Sequence, residues 1–286
     1  MNFITYRDLI ADVNSWVNAR PDWYECRGVV GIPSSGMIPA CIVASRCGLP
    51  VTDLETFLNT GGRFSPTRHP GRAVESYPAG GSRVLVLDDS VYEGTTLRWT
   101  ERELKSHSGL AGVEYEFAAV YSSHSSVPYA YFREVSSPRM FEWNWLRSTT
   151  LRECVVDLDG FICEDPPEGI SEAEYEAWLP RAKPLYLPQS MLGVIASARL
   201  EKYRGPTVEW LKRHGIYHHV LYLIDATAQE REAGNLYVEH KVRHYKNSQA
   251  CLFVESNYDQ AAELHRRTGK PVLCVSNFTM FQKEPP

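Results

Sequence analysis

Three things are missing from this 286-residue chain, and each removes a class of protein. No apolar run approaches the roughly 20 residues needed to cross a bilayer. The opening MNFITYRDLIADVNSW interrupts its apolar positions with acids, so neither a membrane span nor a signal peptide is read there. Seven cysteines (26, 41, 47, 154, 163, 251 and 274) form no CxxC pair. Their odd number, and their place inside apolar runs, point to buried free thiols in a reducing, cytoplasmic compartment rather than to disulfides or a metal ribbon. A basic excess is also missing: 30 Lys and Arg stand against 35 Asp and Glu, which gives no general attraction for nucleic acid.

What is present is an ordinary globular composition, 43% hydrophobic and 23% charged, with enough chain for two domains of about 140 residues each. Tyr6, Leu9, Ile10, Val13, Trp16 and Val17 recur at helical spacing and predict a first amphipathic helix. From there short apolar runs (GVVGIP, RVLVLDD, YEFAAVYSS) alternate with helix-like stretches (SGMIPACIVASRC, TTLRWTERELKSH), the pattern of a parallel sheet covered by helices. The pattern lapses at 58–82, rich in Gly, Pro, Ser and Arg, which predicts a long exposed loop. It lapses again at SSPRMFEWNWLRSTT. Phe141, Trp143 and Trp145 are too apolar for a free linker there and predict docking against one or both domains. The alternation then restarts with ECVVDLDG, LGVIASA, HVLYLID, ACLFVES and PVLCVSN, with helices that stop at Gly215 and Gly269. The expectation is two doubly wound α/β domains, 1–148 and 149–286.

VLVLDDSVYEGTTL, at 84–97, presents Asp88 and Asp89 at a strand end, just before a loop that opens a helix. Ligands of parallel sheets sit at such ends, and a helix N-terminus with the hydroxyls of Thr95 and Thr96 favours an anion. Two acids beside an anion cradle make sense if they hold hydroxyls or a metal. A phosphorylated sugar meets both demands. The stretch RVLVLDDSVYEGTTL resembles the PRPP-binding signature of the type I phosphoribosyltransferases, and VVGIPSSGMIPACIVASRCGLP resembles their pyrophosphate loop. That resemblance implies that Asp88 and Asp89 hold the ribose hydroxyls. Glu93, Gly94, Thr95 and Thr96 would hold the 5′-phosphate, and Ser34, Ser35 and Gly36 the pyrophosphate with its Mg²⁺. Arg63, Arg68, His69 and Arg72 fall where the family keeps its catalytic loop. Glu93 stands where the family usually has Thr or Ser, and Ser34 where it commonly has Arg or Lys. Transferases of this type are often homodimers.

CVVDLDGF, at 154–161, sets Asp157 and Asp159 two apart at a second strand end. One acid can attack phosphorus and the other handle the leaving-group proton, given a cation and a divalent metal. Ser197 in LGVIASAR, Lys241 in HKVRHY and Glu255 in ACLFVES follow in order, with Asp259 beyond. This series resembles the haloacid dehalogenase superfamily of phosphohydrolases. It implies Asp157 as nucleophile, Asp159 as acid and base, Ser197 on the phosphate, and Lys241 (with Lys246 the alternative) steadying charge. Asp157, the carbonyl of Asp159 and Glu255 would hold Mg²⁺, with Asp259 behind them. Arg199 reads either as a substrate contact or as a solvated face. The stretch EDPPEGISEAEYEAWLPRAKPLYLPQS is too short for a large cap. His214, His218 and His219 lack accompanying metal-spaced acids and read as surface residues.

Together the two motif sets imply an enzyme that transfers phosphoribosyl from PRPP to a small acceptor and then dephosphorylates the product. The alternatives are a phosphatase with a PRPP-sensing first domain, and a regulatory binding module.

Overall fold

The computed structural model describes residues 1–64 and 83–283. The chain divides into two compact units, Asn2–Arg139 and Met140–Pro286 with Met1. Of the loop expected at 58–82, Leu58 and Asn59 close a helix, while Arg68, His69 and Arg72 lie outside the described residues.

The first unit runs β1 (Asn2–Ile4), α1 (Tyr6–Ala19), β2 (Gly28–Gly31), α2 (Met37–Cys47), β3 (Val51–Asp53), α3 (Leu54–Asn59), β4 (Arg83–Val91), α4 (Thr95–Ser106), β5 (Glu114–Ser122) and β6 (Ala130–Glu134). Thr5 and Asp8 close a reciprocal capping box at the start of α1, which buries Leu9, Val13, Trp16 and Val17 as their spacing requires. A parallel five-stranded sheet has the order β3-β2-β4-β5-β6. Its centre is β4, whose Val84, Leu85, Val86 and Leu87 are fully buried. Transfer of each from water is worth about 1.5–3 kcal/mol, enough to fix this segment in the middle of the sheet. Val84 and Val86 pack with Leu54, Phe57, Leu97 and Leu104 of α3 and α4, while α2 packs against β2 and β4.

After β7 (Arg139–Phe141), the second unit runs β8 (Cys154–Val156), α5 (Glu172–Trp178), β9 (Leu192–Leu200), α6 (Arg204–Arg213), β10 (His218–Ile224), α7 (Ala228–Ala233), α8 (Leu236–Lys246), β11 (Leu252–Glu255), α9 (Tyr258–Thr268), β12 (Val272–Cys274) and β13 (Thr279–Phe281). The sheet order is β10-β9-β8-β11-β12-β13, parallel except for the antiparallel edge strand β13. Trp145 stacks on Phe161 at 5.4 Å and also meets Tyr186 and Phe278, so this ring packs within the second unit.

Strand order places the sites. In the first sheet the chain steps from β2 outward to β3 and then returns to lay β4 on the other side of β2. In the second it steps from β8 through β9 to β10 and returns to lay β11 on the other side of β8. Connections leave such a pair of strands in opposite directions and open a crevice at their carboxyl ends. The crevices fall after Gly31 and Leu87 in one unit, and after Val156 and Glu255 in the other.

Candidate active sites

In the first crevice β4 outruns the expected strand, because its pairing with β5 continues to Val91. Asp88 and Asp89 are therefore both buried, on successive residues of one strand. Burial, and next the neighbouring Asp89 charge, push the Asp88 carboxyl well above the ordinary range. The loop after β2 closes against them. Ser35 donates its hydroxyl to Asp89 Oδ1 at 2.9 Å, and Ile32 N donates to Leu87 O at 3.0 Å. Gly36 is required by contact: a Cβ there would lie 2.6 Å from Ile32 O, 2.8 Å from Leu87 O and 2.9 Å from the Asp88 Cα. Ser34 is exposed.

Gly94, in the left-handed region at φ 77°, turns the chain into α4, so Thr95 and Thr96 begin the helix with their amide groups unpaired within it. Asp88 and the run Ser90 to Leu97 line a cavity of about 170 Å³, and Asp89 is not part of that lining. Arg98 reaches back to this turn, with Nη1 donating to Glu93 O at 2.6 Å and Nη2 to Thr95 Oγ1 at 3.3 Å. Sequence reasoning missed Arg98 and also Arg139. The latter donates to Val91 O at 3.0 Å and feels the Asp89 charge, and its position after β6 gives no local signal.

In the second crevice Asp157 N donates to Val254 O at 2.9 Å, extending the ladder one residue past β8 and pinning the backbone of Asp157. Its carboxylate accepts from Leu158 N at 2.7 Å and from Lys241 Nζ at 2.6 Å. Lys241 also donates to Glu255 Oε2 at 2.7 Å and Gln260 Oε1 at 2.9 Å. All three charged groups are buried, and the two acids raise the lysine pKa against the opposing effect of burial. Burial pushes Asp157 well up, with Lys241 opposing and Glu255 reinforcing. Lys246, the other candidate cation, is exposed at the end of α8.

Asp159 is turned away from this trio. Arg199 grips it, with Nη2 at 2.6 Å from Oδ1 and Nε at 3.1 Å from both oxygens, and also donates to Cys163 Sγ at 3.0 Å. Arg199 is only 2% exposed, which excludes the solvated-face reading. It lies within β9, which runs on past Ser197 to Leu200. Ser197, assigned to the phosphate from sequence, is fully buried; its hydroxyl faces Asp159 Oδ2 at 3.4 Å and it does not line the crevice. Asp259 is a second departure. It is exposed on the first turn of α9, while Gln260, one residue on, turns into the crevice. Asp165, unnoticed in the sequence, lines the same space; burial and then Asp159 raise its pKa. The cavity measures about 650 Å³, and its lining includes Asp157, Asp159, Asp165 and Glu255 together with Lys241, Arg199 and Arg231.

Among the described residues no three His, Cys, Asp or Glu side chains converge as a ready metal cage. The carboxylates of this cavity nonetheless outnumber their ion-pair partners: Asp157 and Glu255 pair with Lys241 and Asp159 with Arg199, while Asp165 adds a fourth carboxylate to a lining that also holds Arg231. A surplus of hard carboxylate oxygens suits a divalent ion such as Mg²⁺. No helix of the described residues is long and apolar enough to cross a membrane.

No family model and no curated protein matches the chain. Solved structures similar to it include a purine phosphoribosyltransferase from Pyrococcus horikoshii, at 18% identity and TM-score 0.36, covering 50% of this chain and 92% of that one. The xanthine-guanine-hypoxanthine phosphoribosyltransferase of Helicobacter pylori is 14% identical at TM-score 0.37, covering 50% and 91%. An orotate phosphoribosyltransferase from Aeropyrum pernix is 17% identical at TM-score 0.28, covering 46% and 77%.

Proposed function

We propose that the chain is a bifunctional enzyme. The first unit transfers 5-phosphoribosyl from PRPP to a small acceptor, and the second removes the 5′-phosphate from the product through an aspartyl-phosphate. The observation that carries this reading is that each unit has acids lining a cavity beside its own sheet reversal, Asp88 in the first and Asp157 with Asp159 in the second.

In the first unit the paired acids Asp88 and Asp89 accept the two ribose hydroxyls, and the amides and hydroxyls of Thr95 and Thr96 receive the 5′-phosphate. Ser34 to Gly36 lie beside the acids, where main-chain N–H groups can meet the pyrophosphate. Mg²⁺ would arrive bound to PRPP.

In the second unit the Leu158 amide and Lys241 fix the Asp157 carboxylate in one orientation for attack on phosphorus. Lys241 remains within reach of the charge that develops there. Asp159 is the acid that protonates the leaving oxygen and the base that then takes a proton from water. It must exchange one bond to Arg199 for the substrate to do so. Asp157, the main-chain carbonyl of Asp159 and Glu255 would hold Mg²⁺, which when bound supplies charge neutralisation for the phosphoryl group.

A second reading, a phosphatase whose first unit only senses PRPP, is favoured by the Glu93 carboxylate at the anion cradle. Mg²⁺-dependent phosphate release from 5′-phosphoribosyl compounds, measured beside calorimetric PRPP binding, tests both. Turnover without PRPP binding refutes the transferase half; where PRPP binds, pyrophosphate release on adding candidate acceptors supports two active units, and binding without release supports the sensing reading.

A further inference from the structure

Asp157, Asp159 and Glu255, with Lys241 and Arg199, line only part of a cavity of about 650 Å³, a volume suited to a whole organic molecule rather than to phosphate alone. The remaining wall differs in chemistry: Ile170, Leu200 and Ala228 join Tyr175, Tyr203 and Tyr237, with Arg231, Glu172 and Glu232 among them. The rings of Tyr175 and Tyr203 meet at 4.8 Å. Tyr175 lies between the two regions, since its hydroxyl feels Asp159 and Arg199 as well as Arg231. Arg231 sits over the Tyr237 ring at 4.8 Å and is anchored by Nη1 to Ala198 O at 3.1 Å. Held in this way, the Arg231 side chain lines the cavity beside the tyrosines, and a guanidinium so placed can donate to an acceptor on a bound molecule.

Taking the phosphohydrolase reading as premise, we infer that this remaining wall is a ring-binding subsite. Tyr175 and Tyr203 face a flat ring, and Arg231 donates to an acceptor on it, so the unit selects phosphate monoesters of the nucleoside 5′-monophosphate type over bare sugar phosphates. Base and aromatic rings stack without regard to sequence or substituent, which suits a subsite that reads the presence of a ring.

The test uses the full chain carrying Asp88→Asn and Asp89→Asn, so that nucleotide binding by the first unit does not intrude. The kcat/KM for phosphate release from nucleoside 5′-monophosphates should exceed that from ribose 5-phosphate by about 30-fold, the worth of one stacking contact. Arg231→Met, and separately Tyr175→Leu, should shrink that ratio to about threefold or less. Equal rates on both substrates, or a ratio untouched by both variants, would overturn the subsite. If p-nitrophenyl phosphate and every other ester remain intact, the phosphatase reading has failed. The subsite is then decided by calorimetry: a ring preference lost in Arg231→Met upholds it, and equal binding of the two compounds refutes it.

Discussion

Replacing Lys241 with Met removes the single cation that lies between two buried carboxylates. Its side chain is 2% exposed, and those of Asp157 and Glu255 are 7% and 0%. Breaking a buried pair of this kind costs about 3–5 kcal/mol, because the partners are left charged and dry. For a unit of this size that is a fall in Tm of roughly 6–20 °C at pH 7, at about 2–4 °C per kcal/mol. The pH dependence has a definite sign. In the wild type the folded-state pKa of Lys241 is raised, so its contribution is complete below the unfolded lysine value of about 10.4 and is lost only as pH rises through the folded value. In the variant the Asp157 pKa, already raised by burial and by Glu255, loses its opposing partner. A carboxyl raised on folding contributes stability below its unfolded value of about 3.9 and loses it as pH climbs. The variant's deficit should therefore widen as pH climbs past the wild-type Asp157 value, itself above the ordinary carboxylate range. Thermal unfolding of both chains between about pH 4.5 and 8 follows this. A variant within about 2 °C of wild type at pH 7, or a gap that narrows as pH rises, would refute the buried charge triad.

Two further outcomes concern the first unit. Gly36→Ala forces a Cβ against main-chain atoms of residues 32, 87 and 88, so calorimetric PRPP binding should fall by at least about 100-fold while the second unit's phosphate release persists; unchanged binding would separate this loop from the ligand. Asp88 is raised by burial and then by Asp89, so PRPP affinity should strengthen as pH rises from about 5 to 8. Asp89→Asn should weaken the plateau and move the midpoint to lower pH, and a midpoint that moves upward would contradict the coupling of these acids.

Strand existence was legible because short apolar runs such as VLVL and CVV are too short and too β-branched for helices. Asp157 was legible for the same reason, since a strand that stops, as β8 does at Val156, delivers its next residue to the crevice, whereas Asp88 and Asp89 lie inside β4, which runs on to Val91. What the sequence hid lay in tertiary geometry. Ser197 and Arg199 are separated by one residue on β9, yet the hydroxyl is fully buried and the guanidinium lines the crevice, because the strand continues to Leu200 and its pairing decides which groups reach the crevice. Gln260 was missed beside Asp259 because only the rotation of α9 decides which of two neighbours faces inward. Arg139 and Arg231 sit 48 and 33 residues from the carbonyls of Val91 and Ala198 to which they donate, and no local pattern marks them.

The most direct test of the two-site account is Asp157→Asn in the full chain, assayed for Mg²⁺-dependent phosphate release and, in the same preparation, for PRPP binding by calorimetry. Loss of phosphate release by at least about 1,000-fold with PRPP affinity unchanged is the predicted result. Phosphate release that survives the substitution, or PRPP binding that disappears with it, would contradict the division of chemistry between the two units.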